Sequence, residues 1–203
     1  MKTLLVIDVQ NDFAPGGALA VPEGDAIIPV INQLMPSFEL VIATQDWHPK
    51  DHASFASSHE NKQPFEIIAL NDKPQTLWPE HCIQDSIGAA FCPSLNDTCF
   101  DVVFRKGTDL EVDSYSGFYD NHRLKSTGLT DYLKDKGVTH IYFSGLCADI
   151  CVYFTILDAV SEGFECTLIE DATKPLDDTR YQEIKKELEG RVRFVSSEEA
   201  LAR

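Results

Sequence analysis

The stretch HIYFSGLCADICVYFTILDA, residues 140–159, reads as a strand, a tight turn and a helix. Ile141, Tyr142 and Phe143 form a short apolar run of the kind a buried strand carries. Ser144-Gly145 breaks it. From about Asp149 the spacing turns helical, with Val152, Phe154, Ile156, Leu157 and Val160 as core candidates. Strand, turn and helix make the half-unit of a parallel α/β sheet. Cys151 falls in the first turn of that helix. A thiol there meets unpaired backbone N–H groups and the positive end of the helix dipole, and both favour the thiolate. The competing reading is plain packing, because free cysteines are usually small buried hydrophobes. Cys82, Cys147 and Cys166 take that reading. Cys151 departs from it if other chemistry converges on the same edge of the sheet.

Further strands read outward from this one. Thr3–Asp8 is a continuous apolar run ending in a carboxylate, as in a strand covered on both faces. Leu40–Thr44 is a second strand, followed at once by Gln45-Asp46-Trp47-His48-Pro49, and Asp101–Phe104 is a third, closed by Arg105-Lys106-Gly107. Glu165–Ile169 and an edge strand at Val192–Val195 complete six. Helical spacing covers AIIPVINQLM at 26–35, with Asp25 as its N-cap and Pro29 near the first turn. It also covers Leu129–Lys136 and the highly charged Arg180–Glu189, whose Glu and Lys residues suit a solvated outer face. From Pro49 to about Thr98 the chain reads as loop, and a loop that long is usually functional. Six strands alternating with helices predict a three-layer αβα fold around a six-stranded parallel sheet, with residues 1–203 as one domain.

Composition narrows the function classes. A net charge of −16 argues against nucleic acid or an anionic membrane surface as partner. No apolar run approaches the roughly 20 residues of a membrane span. The opening MKTLLVIDVQ is too short in apolar residues for a signal-peptide core and reads as the first strand. Together these predict a cytoplasmic protein with a small-molecule ligand and with its six cysteines reduced. Homo-oligomerisation is left open.

In open parallel sheets ligands bind outside the carboxyl ends of the strands. Asp8, Asp46 with His48, Lys106 and Cys151 all fall there. Asp8, Lys106 and Cys151 make a nucleophile constellation: a base to take the thiol proton and a cation to steady the thiolate. The bland alternative is an Asp–Lys ion pair beside an inert cysteine. Asp46, His48 and His81 offer imidazole and carboxylate donors that suit zinc, iron or manganese, and three protein ligands leave positions open. The alternative is a set of exposed loop histidines. His52 is a further ligand candidate better read as lying behind the site. Phe13, Trp78 and Tyr115, on three loops at the same edge, suit a flat uncharged ligand, or simply anchor their loops.

Six motifs, in order, resemble one family. They are DVQNDF (8–13), TQDWHP (44–49), WPEHC (78–82), RKG (105–107), DSYSGF (113–118) and GLCADICV (145–152). Together they resemble the nicotinamidase branch of the isochorismatase-like cysteine hydrolases over about residues 3 to 173. DVQNDF alone marks the superfamily, and DWH with WP-x-HC marks its metal-binding nicotinamidases.

The resemblance implies hydrolysis of nicotinamide to nicotinate and ammonia through a cysteine thioester. It implies Cys151 as nucleophile, Asp8 as general base and then acid, and Lys106 as the stabilising cation. It implies Asp46, His48 and His81 as ligands of one divalent metal, zinc first, with iron or manganese as alternatives, the metal's open position taking the pyridine nitrogen. Phe13, Trp78 and Tyr115 match the ring-holding aromatics. It also implies a cis peptide before Cys147 and an oxyanion hole made by the backbone N–H groups of Cys147 and Cys151. Cys147 stands where the family more often has a small residue such as alanine. The second enzyme reading is another hydrolase of the superfamily, acting on a different amide or on isochorismate. A non-catalytic metal-binding or interaction protein on the same scaffold is the reading from a different class.

Overall fold

The computed structural model describes residues 1–202. In chain order the elements are β1 (Thr3–Ile7), α1 (Ile28–Leu34), β2 (Leu40–Asp46), β3 (Ile67–Leu70), β4 (Lys73–Thr76), β5 (Val102–Lys106) and α2 (Leu129–Asp135). They continue as β6 (His140–Leu146), α3 (Cys151–Ser161), β7 (Glu165–Lys174), α4 (Asp178–Glu187), β8 (Arg193–Val195) and α5 (Ser197–Leu201), with short 3-10 turns between. Six strands form one sheet in the order β5-β2-β1-β6-β7-β8, every pairing parallel. The order reverses between β1 and β6, and a crevice opens at such a switch point.

Alternation along β1 divides the apolar residues between two layers. Leu4 and Val6 pack with Ile28, Ile31 and Leu34 of α1 and Ala200 of α5. Leu5 and Ile7 face the other way, onto Leu129 and Leu133 of α2, Val152 and Ile156 of α3, and Ile184 of α4. Period-2 side-chain direction in a strand buried on both faces produces this division. No described helix is long and apolar enough to cross a membrane.

Several local expectations are corrected. The strand of residues 140–146 runs through Ser144-Gly145 to Leu146. Gly145 pairs with Ile7 at φ +111°, and a Cβ there would lie 2.0 Å from the Ile7 carbonyl oxygen, so glycine permits the close approach of β1 and β6. The helix after it begins at Cys151, not Asp149, and Phe154 lies on its outer face, opposite Val152 and Ile156, 39% exposed, while Tyr153 is buried. Asp25 lies inside a 3-10 turn, Gly24–Ile27, and caps nothing; Ile27 is the N-cap of α1, with Pro29 in its first turn. The segment from Pro49 to Thr98 contains an antiparallel hairpin, β3–β4, hidden by the shortness of its strands, four residues each, and by the polar, proline-bearing sequence of β4. β7 extends to Lys174, past a register shift opposite Phe143 and Gly145. Within that extension Asp171 accepts the backbone N–H and hydroxyl of Ser197 at the start of α5.

Candidate active site

Asp8 is the first residue past β1, Asp46 and Lys106 end β2 and β5, and Cys151 opens α3. Adjacent strands therefore deliver all four side chains to the switch point, where each residue is at most 5% exposed. Asp8 leaves the strand at φ +49°, a left-handed conformation that aspartate tolerates better than most residues. Its Oδ1 accepts the Thr44 hydroxyl at 2.6 Å, and its Oδ2 lies 2.9 Å from Lys106 Nζ. Lys106 Nζ also donates to Asp46 Oδ1 at 2.6 Å, to the Ser114 carbonyl at 3.0 Å and to Cys151 Sγ at 3.6 Å. One ammonium thus meets two carboxylates and a thiol.

Burial and charge oppose each other throughout this cluster. Burial pushes the Cys151 thiol well above its usual range; Lys106 opposes the shift, while Asp8 and Asp46 add to it. Cys151 stands at the first turn of α3, as expected, with the Lys106 ammonium 3.6 Å from its sulfur as the group that favours the thiolate against burial. Burial also raises Asp8, against the pull of Lys106 and with help from Asp46. For Lys106, burial opposes the charge, but Asp46 and Asp8 outweigh it and hold the ammonium protonated.

Beside this cluster the Nε2 atoms of His48 and His81 lie 3.5 Å and 3.8 Å from Asp46 Oδ2. The donor atoms of Asp46, His48 and His81 all fall within 4.8 Å of one another, and all three residues are buried. His48 Nδ1 sits 3.0 Å from the Gly107 carbonyl, and His81 Nδ1 2.9 Å from that of Pro79. A carbonyl only accepts, so each Nδ1 carries the proton and each Nε2 lone pair points into the cluster. Metal-binding imidazoles are commonly oriented this way. Two imidazole lone pairs and a carboxylate oxygen, converging and buried, fit a divalent ion. Burial lowers His81 to about 4, with His48 adding to the shift. Burial also opposes charge on His48, but Asp46 outweighs it and raises the pKa.

His52 does not join this trio. Its Nδ1 accepts the Ser54 N–H at 3.1 Å, and its ring lies tilted against that of His48, 4.5 Å between ring centres. Its atoms group instead with His48 and Asp113.

Phe13, Trp78 and Tyr115 line a single small cavity together with Asp46, His81 and Cys151. Leu19, Asp113, Cys147 and Ile150 complete its wall. The edge-on Trp78–Tyr115 pair closes one side at 6.1 Å between ring centres. The peptide between Leu146 and Cys147 is cis. The Cys151 N–H, at the first position of α3, has no intrahelical partner.

Sequence reasoning missed the residues that hold these groups. Gln10 donates to the Asp46 carbonyl and accepts the Asp46 N–H, both at 2.8 Å. Gln75, from the hairpin, reaches Asp113 and the Tyr115 hydroxyl at 3.1 Å each. Gly107 is required beside His48: at φ +63°, a Cβ would come within 2.5 Å of the imidazole Cε1. Gln10 and Gly107 stood within quoted motifs, but nothing in their spacing marked them. Gln75 had no signal.

Known proteins share this arrangement of sequence. The chain matches the isochorismatase domain over residues 2–200. It is 47% identical over 174 residues to the nicotinamidase of Acinetobacter baylyi, covering 86% of this chain and 81% of that one. A solved nicotinamidase and pyrazinamidase of Acinetobacter baumanii superposes with a TM-score of 0.94 at 46% identity, covering 97% of this chain and 96% of the other. The pyrazinamidase of Pyrococcus horikoshii, solved in complex with zinc, gives 0.79 at 35% identity, covering 96% and 98%. Sequence and backbone agree along almost the whole length, and the chain belongs to the isochorismatase-like hydrolases, in their nicotinamidase branch.

Proposed function

We propose that this protein hydrolyses nicotinamide to nicotinate and ammonia, with Cys151 as nucleophile. The observation that carries the reading is that one ammonium, Lys106, joins the Asp8–Cys151 pair to the Asp46–His48–His81 cluster at a ring-lined cavity. The 47% identity to a nicotinamidase supports it. Among the described residues, the cavity wall carries no arginine, and Lys106 is already shared between two carboxylates, which disfavours a dianion such as isochorismate.

In this reading Phe13, Trp78 and Tyr115 hold the pyridine ring and keep water from it. Asp46, His48 and His81 hold a divalent ion, for which we propose zinc, the metal in the P. horikoshii pyrazinamidase structure. When bound, it supplies a Lewis-acid anchor for the ring nitrogen. Cys151 Sγ attacks the carboxamide carbon while its proton passes to Asp8, whose burial-raised pKa suits it to hold one. Lys106, 3.6 Å from the sulfur, steadies the charge as the proton leaves. The carbonyl electron pair moves onto oxygen, where the Cys147 and Cys151 N–H groups meet it. Collapse breaks the C–N bond, and Asp8 gives its proton to the departing ammonia. Water then attacks the thioester, Asp8 takes its proton, and the Cys151 thiol re-forms with release of nicotinate.

The proposal treats residues 1–203 as one domain, which the sheet shared by both apolar layers supports. It keeps the cytoplasmic setting, where the six free thiols would stay reduced. The test is ammonia release from nicotinamide by the purified protein, with metal content measured in parallel. No release from metal-replete protein overturns the reading.

A further inference from the structure

We infer that Asp12 is a positioning residue for the metal site: its carboxylate fixes the Cys82 peptide that holds His81 and His48 in register. The inference rests on the reading of Asp46, His48 and His81 as metal ligands.

Neither His48 nor His81 lies in a helix or a strand of the sheet. Their relative placement depends on loop backbone, and Cys82 is where the two loops meet. The Cys82 carbonyl accepts the His48 N–H at 2.9 Å, and the His48 carbonyl accepts the Gln84 N–H at 2.8 Å. Cys82 directly follows His81 and adopts φ +47°. A left-handed residue other than glycine persists where its surroundings over-determine it. Asp12 supplies one such restraint, its Oδ2 accepting the Cys82 N–H at 2.7 Å. This is a charge-assisted bond to a fully buried residue.

The rest of Asp12 is fixed too. Its Oδ1 accepts the Ala18 N–H at 3.3 Å, its carbonyl accepts the Leu19 N–H at 3.0 Å, and its N–H donates to the Gly88 carbonyl at 3.0 Å. Leu19 and the neighbouring Phe13 wall the cavity. Asp12 therefore ties the substrate wall to the metal ligands. Gly88 lies against it so closely that a Cβ there would come within 2.0 Å of the carboxylate.

The two carboxylate oxygens face two N–H donors. Asparagine has the same shape but one acceptor oxygen, so Asp12→Asn must set an amide N–H against a backbone N–H. Groups behind metal ligands typically alter metal affinity by about 10–100-fold when removed. Zinc affinity of the folded protein, measured by chelator competition with zinc ions alone, is the readout. A purely architectural role would lower the unfolding midpoint and leave this affinity unchanged. Asp12→Asn is expected to weaken zinc binding by about tenfold or more, and Asp12→Ala further. Gly88→Ala, which retains Asp12 and displaces its carboxylate, is expected to weaken zinc in the same direction, and it decides the question if the Asp12 variants do not fold. Wild-type affinity in folded Asp12→Asn or Gly88→Ala overturns the positioning role. Failure of the wild-type protein itself to bind zinc overturns the metal reading beneath it.

Discussion

Lys106 Nζ lies 2.6 Å from Asp46 Oδ1, and this contact fuses what would otherwise be two sites. Asp46 faces the imidazoles with one oxygen and the lysine with the other. Lys106 in turn reaches Asp8 at 2.9 Å and Cys151 at 3.6 Å. The ammonium is fully buried, so its charge is sustained by the two carboxylates and theirs by it.

Replacing Lys106 by Met should therefore damage the metal-free protein far more than the loss of a surface ion pair would. Two buried carboxylates would face each other without a cation. Breaking a buried pair from one side destabilises by about 3–5 kcal/mol. Urea unfolding of chelated Lys106→Met against wild type reads this directly. Adding Asp8→Asn to the same chain should recover part of the loss, and a loss below about 1 kcal/mol would mean that the pair is worth no more than an exposed one.

Metal affinity should follow pH with a particular slope. In the metal-free site His48 is raised above its ordinary pKa by Asp46, burial opposing, while burial lowers His81 to about 4. Between pH 6.5 and about 4, His48 holds a competing proton and His81 does not. Zinc must displace one proton, so apparent affinity falls about tenfold for each unit of falling pH in this window. Below about pH 4 the second imidazole also protonates and the fall steepens. Chelator competition across buffers measures the slope; a hundredfold change per unit above pH 4 would show both imidazoles titrating together.

Gly107→Ala tests the seat of His48. The new methyl would fall 2.5 Å from Cε1 and 2.7 Å from Nδ1, at a backbone φ of +63°. The ring must move, and its bond to the Gly107 carbonyl goes with it. Zinc affinity should drop by about tenfold or more. Stability should fall by about 1–2 kcal/mol from the left-handed backbone alone. Unchanged metal binding would mean that the imidazole tolerates displacement.

The contrast between legible and hidden residues has a physical basis. Asp8, Asp46, Lys106 and Cys151 could be placed from sequence because strand ends in a parallel sheet converge, and apolar runs mark where strands end. His81 could be offered only by its donor chemistry, as a third ligand from a distant loop, since a ligand on a long loop has no periodicity to place it; the family motif then singled it out. Gln10 and Asp12 act through bonds to backbone groups, and Gln75 through bonds to side chains, 36 to 70 residues away, a relation that local pattern does not encode. Phe154 shows the opposite error. Its apolar character suggested core, but two residues on from the buried Val152 it lies on the opposite face of α3, partly exposed and against Tyr115.

Ammonia release from nicotinamide, compared between wild type and Cys151→Ala before and after chelation, tests the account most directly. The account predicts wild-type release that falls on chelation and returns with zinc, and no turnover from Cys151→Ala although it still binds zinc. Full activity in Cys151→Ala would contradict the central claim that this thiol forms the thioester.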